Sequence, residues 1–125
     1  MASRIPADRI RLKRAYVPAE ASDGQRILVD RLWPRGVSKA DAHLDDWLKE
    51  IAPSTELRKW FGHDPARWAE FRRRYADEVA THAELVARLR RLAREAPVTL
   101  IYSAADERHN DAVVLRNILL GRGAG

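Results

Sequence analysis

At 125 residues the chain has room for one domain with a modest core and little space for a second. Hydrophobic residues make up 46% and charged residues 33%, a balance that belongs to globular rather than disordered chains. The 23 Lys and Arg exceed the 18 Asp and Glu to leave +5, a mild preference for acidic partners, and the absence of cysteine removes disulfides, thiolate metal sites and cysteine nucleophiles.

No apolar run approaches the roughly 20 residues of a bilayer span. The opening "MASRIPADRIRLKRAY" lacks the continuous apolar segment of a secretory signal, so a cytoplasmic protein without membrane contact is expected. "RIRLKRAY" alternates Ile10 and Leu12 with Arg11 and Lys13, the period of a strand with one wetter face. "VPAEASDG" then reads as a loop. "RILVDRLW", with contiguous Ile27, Leu28 and Val29, reads as a more buried strand, joined to the first as a long hairpin or as a parallel pair.

Ser38 is placed to cap a helix, with Asp41 suited to its positive end. Leu44, Trp47, Leu48 and Ile51 continue it as an apolar stripe at helical spacing, and "STELRKWF" supplies another short helix or turn. In "HDPARWAEFRRRY" Asp64 caps and Pro65 occupies the first helical position, where a missing amide hydrogen costs little. Trp68, Phe71, Tyr75 and Val79 should face the core. Thr81 and Glu84 form a capping-box pair opening a further helix near Ala80, with Leu85, Leu89 and Leu92 on one side, set against a single long helix carrying the whole stripe. Val98 to Tyr102 reads as a buried strand, and Asp106 as the cap of a terminal helix whose inward side is Ala112, Leu115, Ile118 and Leu119, ended by Gly121.

Strands nearly continuous in Ile, Leu and Val and separated by helices predict α/β layering. The expectation is a single compact domain over 1–125 with a small, mainly parallel sheet flanked by four or five helices, and a frayed tail over 122–125.

Open α/β sheets form pockets beyond the carboxyl ends of their strands. Two such ends are "DRLWPRG" and "YSAADERHN", and parallel strands would pool Asp30, Arg31, Arg35, Ser38, Tyr102, Ser103, His109 and Asn110. The arginine fork places two donors on one phosphate or carboxylate, so Arg31 and Arg35 are the expected charge binders, set against structural pairing of Arg31 and solvation of Arg35. Trp33 is weighed as a stacking platform against a plug at the core edge. In the site reading His109 is the acid-base group and Asn110 places ligand or water. Ser103, His109 and Asp106 supply the residue types of a serine triad, set against local capping roles for Ser103 and Asp106.

His43, His63, His82 and His109 are scattered without ligand spacing, so no metal site is expected. Glycines form neither a phosphate loop nor a dinucleotide fingerprint, which leaves the cofactor unassigned. Between Arg58 and Glu95 ten Lys or Arg face six Asp or Glu, mostly interleaved with the apolar stripe as on a solvated helical face. The arginines of "FRRRY" and "ARLRRLARE" would suit nucleic acid, but Glu70, Asp77, Glu78 and Glu84 weaken that reading; self-association near Trp60 stands at least level with it.

Taken in order, "LVDRLWPRG", "WLKEIAPSTELRKWF", "HDPARWAEFRRRY", "VTLIYSA" and "HNDAVVLR" make the chain resemble the YeaO-like branch of the DUF488 family over most of residues 10–120. That resemblance implies a compact α/β protein, cytoplasmic where described, with no established reaction and no cofactor to carry over. It draws attention to Arg31, Trp33, Pro34, Arg35, Gly36, His109 and Asn110 without giving them roles. It also implies another small residue such as Ala at the place of Ser103, which counts against a serine nucleophile. The leading expectation is an anion-handling protein, a hydrolase or transferase on a phosphorylated or carboxylated small molecule; the alternative is a noncatalytic binding or structural protein, with nucleic acid the less favoured ligand.

Overall fold

The computed structural model describes residues 5–122. Within them four strands, β1 (Ile10–Arg14), β2 (Gln25–Leu28), β3 (Asp46–Trp47) and β4 (Val98–Tyr102), form one sheet in the order β1-β4-β2-β3, and every neighbouring pair is parallel. Five helices accompany it: α1 (Lys39–Ala42), α2 (Thr55–Phe61), α3 (Trp68–Ala80), α4 (Ala83–Glu95) and α5 (Asp111–Leu119). The expected α/β architecture is correct. The hairpin alternative for the first two strands is not, because β4 lies between them. Of the expected tail, 123–125 lie outside the described residues.

The sheet separates two cores. Ile10, Ile27, Val29, Val98, Leu100 and Tyr102 turn to the face covered by α2 to α5, where Phe61, Phe71, Tyr75 and Leu115 complete the main core. The opposite face carries a smaller cluster of Ala15, Leu28 and Ile101 under Trp33, Val37, Leu44 and Trp47. Strand alternation explains the division, since successive side chains of Ile27, Leu28 and Val29 leave opposite sides of one strand.

That division also corrects the long helix expected after Ser38. Ser38 Oγ does accept the Asp41 amide at 3.0 Å, but α1 stops at Ala42 and His43 turns left-handed with φ 46°. Asp45 is then captured by β2, its amide donating to the Arg26 carbonyl at 2.8 Å and its Oδ2 accepting the Arg26 amide at 2.8 Å. The apparent stripe is shared between the two cores: Leu44 and Trp47 pack on the smaller one, Leu48 and Ile51 on the larger. Tertiary strand pairing outweighs the helical periodicity.

Two caps also differ from expectation. Thr81 Oγ1 donates back to the Glu78 carbonyl at 2.6 Å, and α4 starts after His82 with no side-chain cap. Asp106 does not open α5; Asn110 does, its Oδ1 accepting the Val113 amide at 3.1 Å. Asp64 and Pro65 open the α3 segment as expected, through a tight 3-10 turn.

Beneath the amino ends of the strands, buried Asp23 binds Lys13 at 2.8 Å and Arg26 at 2.6 Å. Burial alone would push its carboxyl up, but the hydrogen bonds from Lys13, the Glu20 amide and Arg26 outweigh it and hold Asp23 below the usual carboxylate value. Gly24 follows at φ 65°, so close to β4 that a Cβ would lie 2.1 Å from the Pro97 carbonyl oxygen.

Candidate functional site

Placing β4 between β1 and β2 brings the carboxyl ends of β2 and β4 side by side. The chain leaves β2 through Asp30-Arg31 and β4 through Ser103-Ala104, and both exits line a cavity of about 150 Å³. The helical layer closes it with Phe61 and Phe71, while Pro53, Arg58 and His63 approach from the segments around α2. The volume suits a ligand of about six heavy atoms.

Asp30 fastens the two exits together. Its Oδ2 accepts the Ser103 amide at 2.9 Å and the Ser103 hydroxyl at 2.8 Å, and its carbonyl accepts Trp47 Nε1 at 2.7 Å. Arg31 is pinned to backbone, with Nε donating to the Pro53 carbonyl at 3.1 Å and Nη2 to the Ala52 carbonyl at 3.3 Å. Those acceptors are neutral dipoles, so they orient the guanidinium without cancelling its charge. Arg58 lies on α2, exposed at the mouth, and its guanidinium enters no ion pair or hydrogen bond among the described residues.

The loop after β4 delivers His109. Asp106 Oδ1 accepts the amides of Arg108 and His109 at 2.9 and 3.1 Å, while its Oδ2 meets His109 Nδ1 at 2.8 Å. These amides, with the imidazole, hold Asp106 below its ordinary value. His109 also stands edge-on to Trp68, with ring centroids 5.1 Å apart. This pairing turns the opposite ring nitrogen away from Asp106, but Ser103 Oγ donates to Asp30, so the three residue types of the serine triad do not form its hydrogen-bond chain.

At the floor lies an acid absent from the sequence-based site. Asp111, the first residue of α5, lines the cavity, and its Oδ2 is sealed from solvent with no donor among the described residues. Burial, then the charge of Asp30, raises Asp111 well above the usual carboxylate value. The pair also faces Tyr75, whose buried hydroxyl donates to the Ile51 carbonyl at 2.7 Å.

Of the expected site residues, the cavity gathers Arg31, Ser103, His109 and Asn110. Asn110 is 3% exposed and fully engaged, its Oδ1 capping α5 and its Nδ2 donating to the Asp106 carbonyl at 2.9 Å. Tyr102 is buried beside it and does not reach the lining; burial raises its hydroxyl. Trp33, Arg35 and Ser38 stand apart. Trp33 packs edge-on against Trp47 in the smaller core and donates Nε1 to the Val37 carbonyl at 2.6 Å. Arg35 is exposed and contributes its carbonyl to the Tyr16 hydroxyl, and Ser38 is occupied as the cap of α1.

Arg58, His63 and Asp111 escaped the sequence reading because each looks ordinary there: a charged helix face, a residue before a capped turn, and an acid in a first turn. His63 carried a structural signal only, a left-handed φ of 57° directly after Gly62 at 53°, a conformation few non-glycine residues adopt.

Compared with known proteins, residues 9–124 match a family model described as the inactive DUF488-N3 subclade. The chain belongs to the DUF488 family. Within it, the uncharacterized protein YeaO of Escherichia coli (strain K12) is 53% identical over 110 residues, covering 88% of this chain and 96% of that protein. Uncharacterized proteins of Mycobacterium tuberculosis and Mycobacterium bovis are each 42% identical over 114 residues, covering 91% of this chain and 96% of theirs. No solved structure matches the chain. Among the described residues of this DUF488 protein no helix is long and apolar enough to cross a membrane, and no cluster of side chains has the makeup of a metal site.

Proposed function

We propose that the protein is a noncatalytic receptor for a small phosphorylated or carboxylated molecule, held in the cavity at the carboxyl ends of β2 and β4. The observation that carries this reading is the distribution of charge there. Among the described residues Arg31 and Arg58 have no carboxylate partner, and burial beside Asp30 disfavours the charged form of Asp111, so an anion entering past Arg58 meets a positive rim. Apolar walls from Phe61 and Phe71 exclude water and strengthen that attraction. Ser103 is occupied by Asp30, and the description of the subclade as inactive agrees with binding without turnover.

Titration of the protein with ethyl phosphate and with propionate, followed by the side-chain resonances of His63 and His109, tests the reading. Saturable shifts are expected for at least one anion, with Arg58→Ala weakening it about tenfold, the equivalent of one charge-assisted hydrogen bond. An unchanged affinity in Arg58→Ala removes the receptor reading.

The Asp106-His109 pair favours a second reading, acid-base catalysis on the same ligand class. Turnover of a chromogenic phosphate ester that disappears in His109→Ala would establish it. No turnover is the outcome expected of a receptor.

A further inference from the structure

Single apolar side chains on a protein surface are ordinary, but here they gather at one end of the molecule. Among the described residues the large apolar side chains left exposed are Leu32 at 57%, Tyr16 at 46% and Val17 at 41%. All three lie just beyond the carboxyl ends of β1 and β2, at the pole where the cavity opens, and Leu32 lines the cavity itself. Two contacts tie the β1 exit into that pole. Arg14 Nε donates at 2.8 Å to the carbonyl of Ala104, a cavity residue, and the Tyr16 hydroxyl donates at 3.0 Å to the Arg35 carbonyl. Leu32 is not exposed by slack in its loop. Arg31 before it is held by the carbonyls of Ala52 and Pro53, and Trp33 after it packs in the smaller core, so the leucine is presented outward from a fixed backbone. A contact made there costs little ordering.

The charge at this pole leans to one sign. Arg31, Arg35, Arg58 and Arg108 enter no ion pair among the described residues, whereas at the amino ends of the strands Lys13 and Arg26 are matched by Asp23. Of the acids nearby, Asp30 is engaged by Ser103 and Asp106 by His109, which leaves exposed Glu107 against the arginines.

We infer that this pole docks a partner protein, which inserts a glutamate side chain into the cavity and lays a neighbouring apolar residue over Leu32. The inference rests on the receptor reading of the cavity and names the carrier of the anion. A cavity of about 150 Å³ closes on roughly one acidic side chain. A free molecule of that size would gain nothing from apolar surface outside the mouth, while a polypeptide continues across it. Apolar anchors among arginines have the makeup of a protein interface, and the positive charge selects an acidic partner. Tyr16 alone offers no series of stacking platforms for bases, and three side chains fall short of the apolar face that lies in a bilayer.

Arrayed nonapeptides with a central glutamate and random flanks, probed with the full chain, test this, and calorimetry of the strongest measures its affinity. The selected peptides should carry an apolar residue beside the glutamate or one position removed. The strongest should bind at least about tenfold tighter than propionate, and its glutamine counterpart should not bind. Leu32→Ser changes an exposed position, so the fold should be kept by circular dichroism; it should weaken the peptide at least about fivefold and leave propionate within about twofold. A peptide no tighter than propionate, or one indifferent to Leu32→Ser, overturns the inference and leaves the receptor reading standing. No binding of any peptide, propionate or ethyl phosphate overturns both. Phosphatidylserine vesicles and a random single-stranded oligonucleotide are titrated in parallel. Tighter binding to either than to every peptide, lost in Leu32→Ser, overturns the protein partner and assigns the pole to that class.

Discussion

Asp111→Asn has a consequence for stability that needs no ligand. In the native state burial and the neighbouring Asp30 raise the Asp111 carboxyl well above 3.8, its value in a solvated chain. The folded form therefore keeps a proton that the unfolded form gives up. With the unfolded state binding fewer protons, stability is fully present below the unfolded value and is lost as pH rises towards the folded one. One proton sets the steepest slope, about 1.4 kcal/mol per pH unit. Asn is neutral at every pH and close to the shape of the protonated acid, and its amide can donate to Asp30, so the variant lacks this loss. Urea denaturation at 25 °C from pH 4.5 to 8 measures it as the difference between the two proteins, which cancels every group they share. The variant should gain relative to the parent as pH rises, and be the more stable of the two at the alkaline end. A difference that stays flat over this range would show that Asp111 ionises in the fold as freely as in the unfolded chain, and would refute the raised carboxyl.

Asp23 predicts the opposite sign at the other end of the sheet. Its carboxyl lies below 3.8 in the fold, so its contribution is present above that value and lost as acid protonates it; Asp23→Asn, which leaves Lys13 and Arg26 without their acid, should cost about 3 kcal/mol at neutral pH and remove that acid limb from the urea series. Gly24→Ala should destabilise by about 2 kcal/mol or more in the same assay, because the added Cβ meets backbone of Pro97 at 2.1 Å and the residue sits at φ 65°. Tyr75→Phe orphans the Ile51 carbonyl at a position with no solvent exposure and should cost about 1 to 2 kcal/mol, with an unchanged fold by circular dichroism.

The sheet was legible because its strands are written in β-branched and aliphatic runs and its helices carry apolar residues at helical spacing. Where the reading failed, two structures shared one pattern. Leu44, Trp47, Leu48 and Ile51 have the spacing of a helix face, yet Asp45 and Trp47 gain more from pairing beside β2, and no local propensity encodes a partner 19 positions away. The rim of the site followed from a general rule about strand ends, and the fold brings Arg31, Ser103 and His109 around one hollow. The same rule swept in Trp33 and Arg35, because it says where a loop begins and not which way each side chain leaves it. Arg58, His63 and Asp111 belong to the cavity through the packing of α2 and α5, a long-range fact that a single sequence does not carry.

The acids around the cavity divide by what the fold asks of them. Asp30 holds Ser103 and thereby ties the exits of β2 and β4; its loss would open the hollow whatever the ligand. Asp106 builds the turn that carries His109, so its removal would move the imidazole before it altered any charge. Asp111 has neither duty, since Asn110 already caps the helix that Asp111 begins. A carboxylate at a helix start usually gains from the dipole, but burial of this one and the charge of Asp30 oppose its ionisation. Of the three acids it is therefore the one whose exchange for Asn should leave the strand exits and the His109 turn in place.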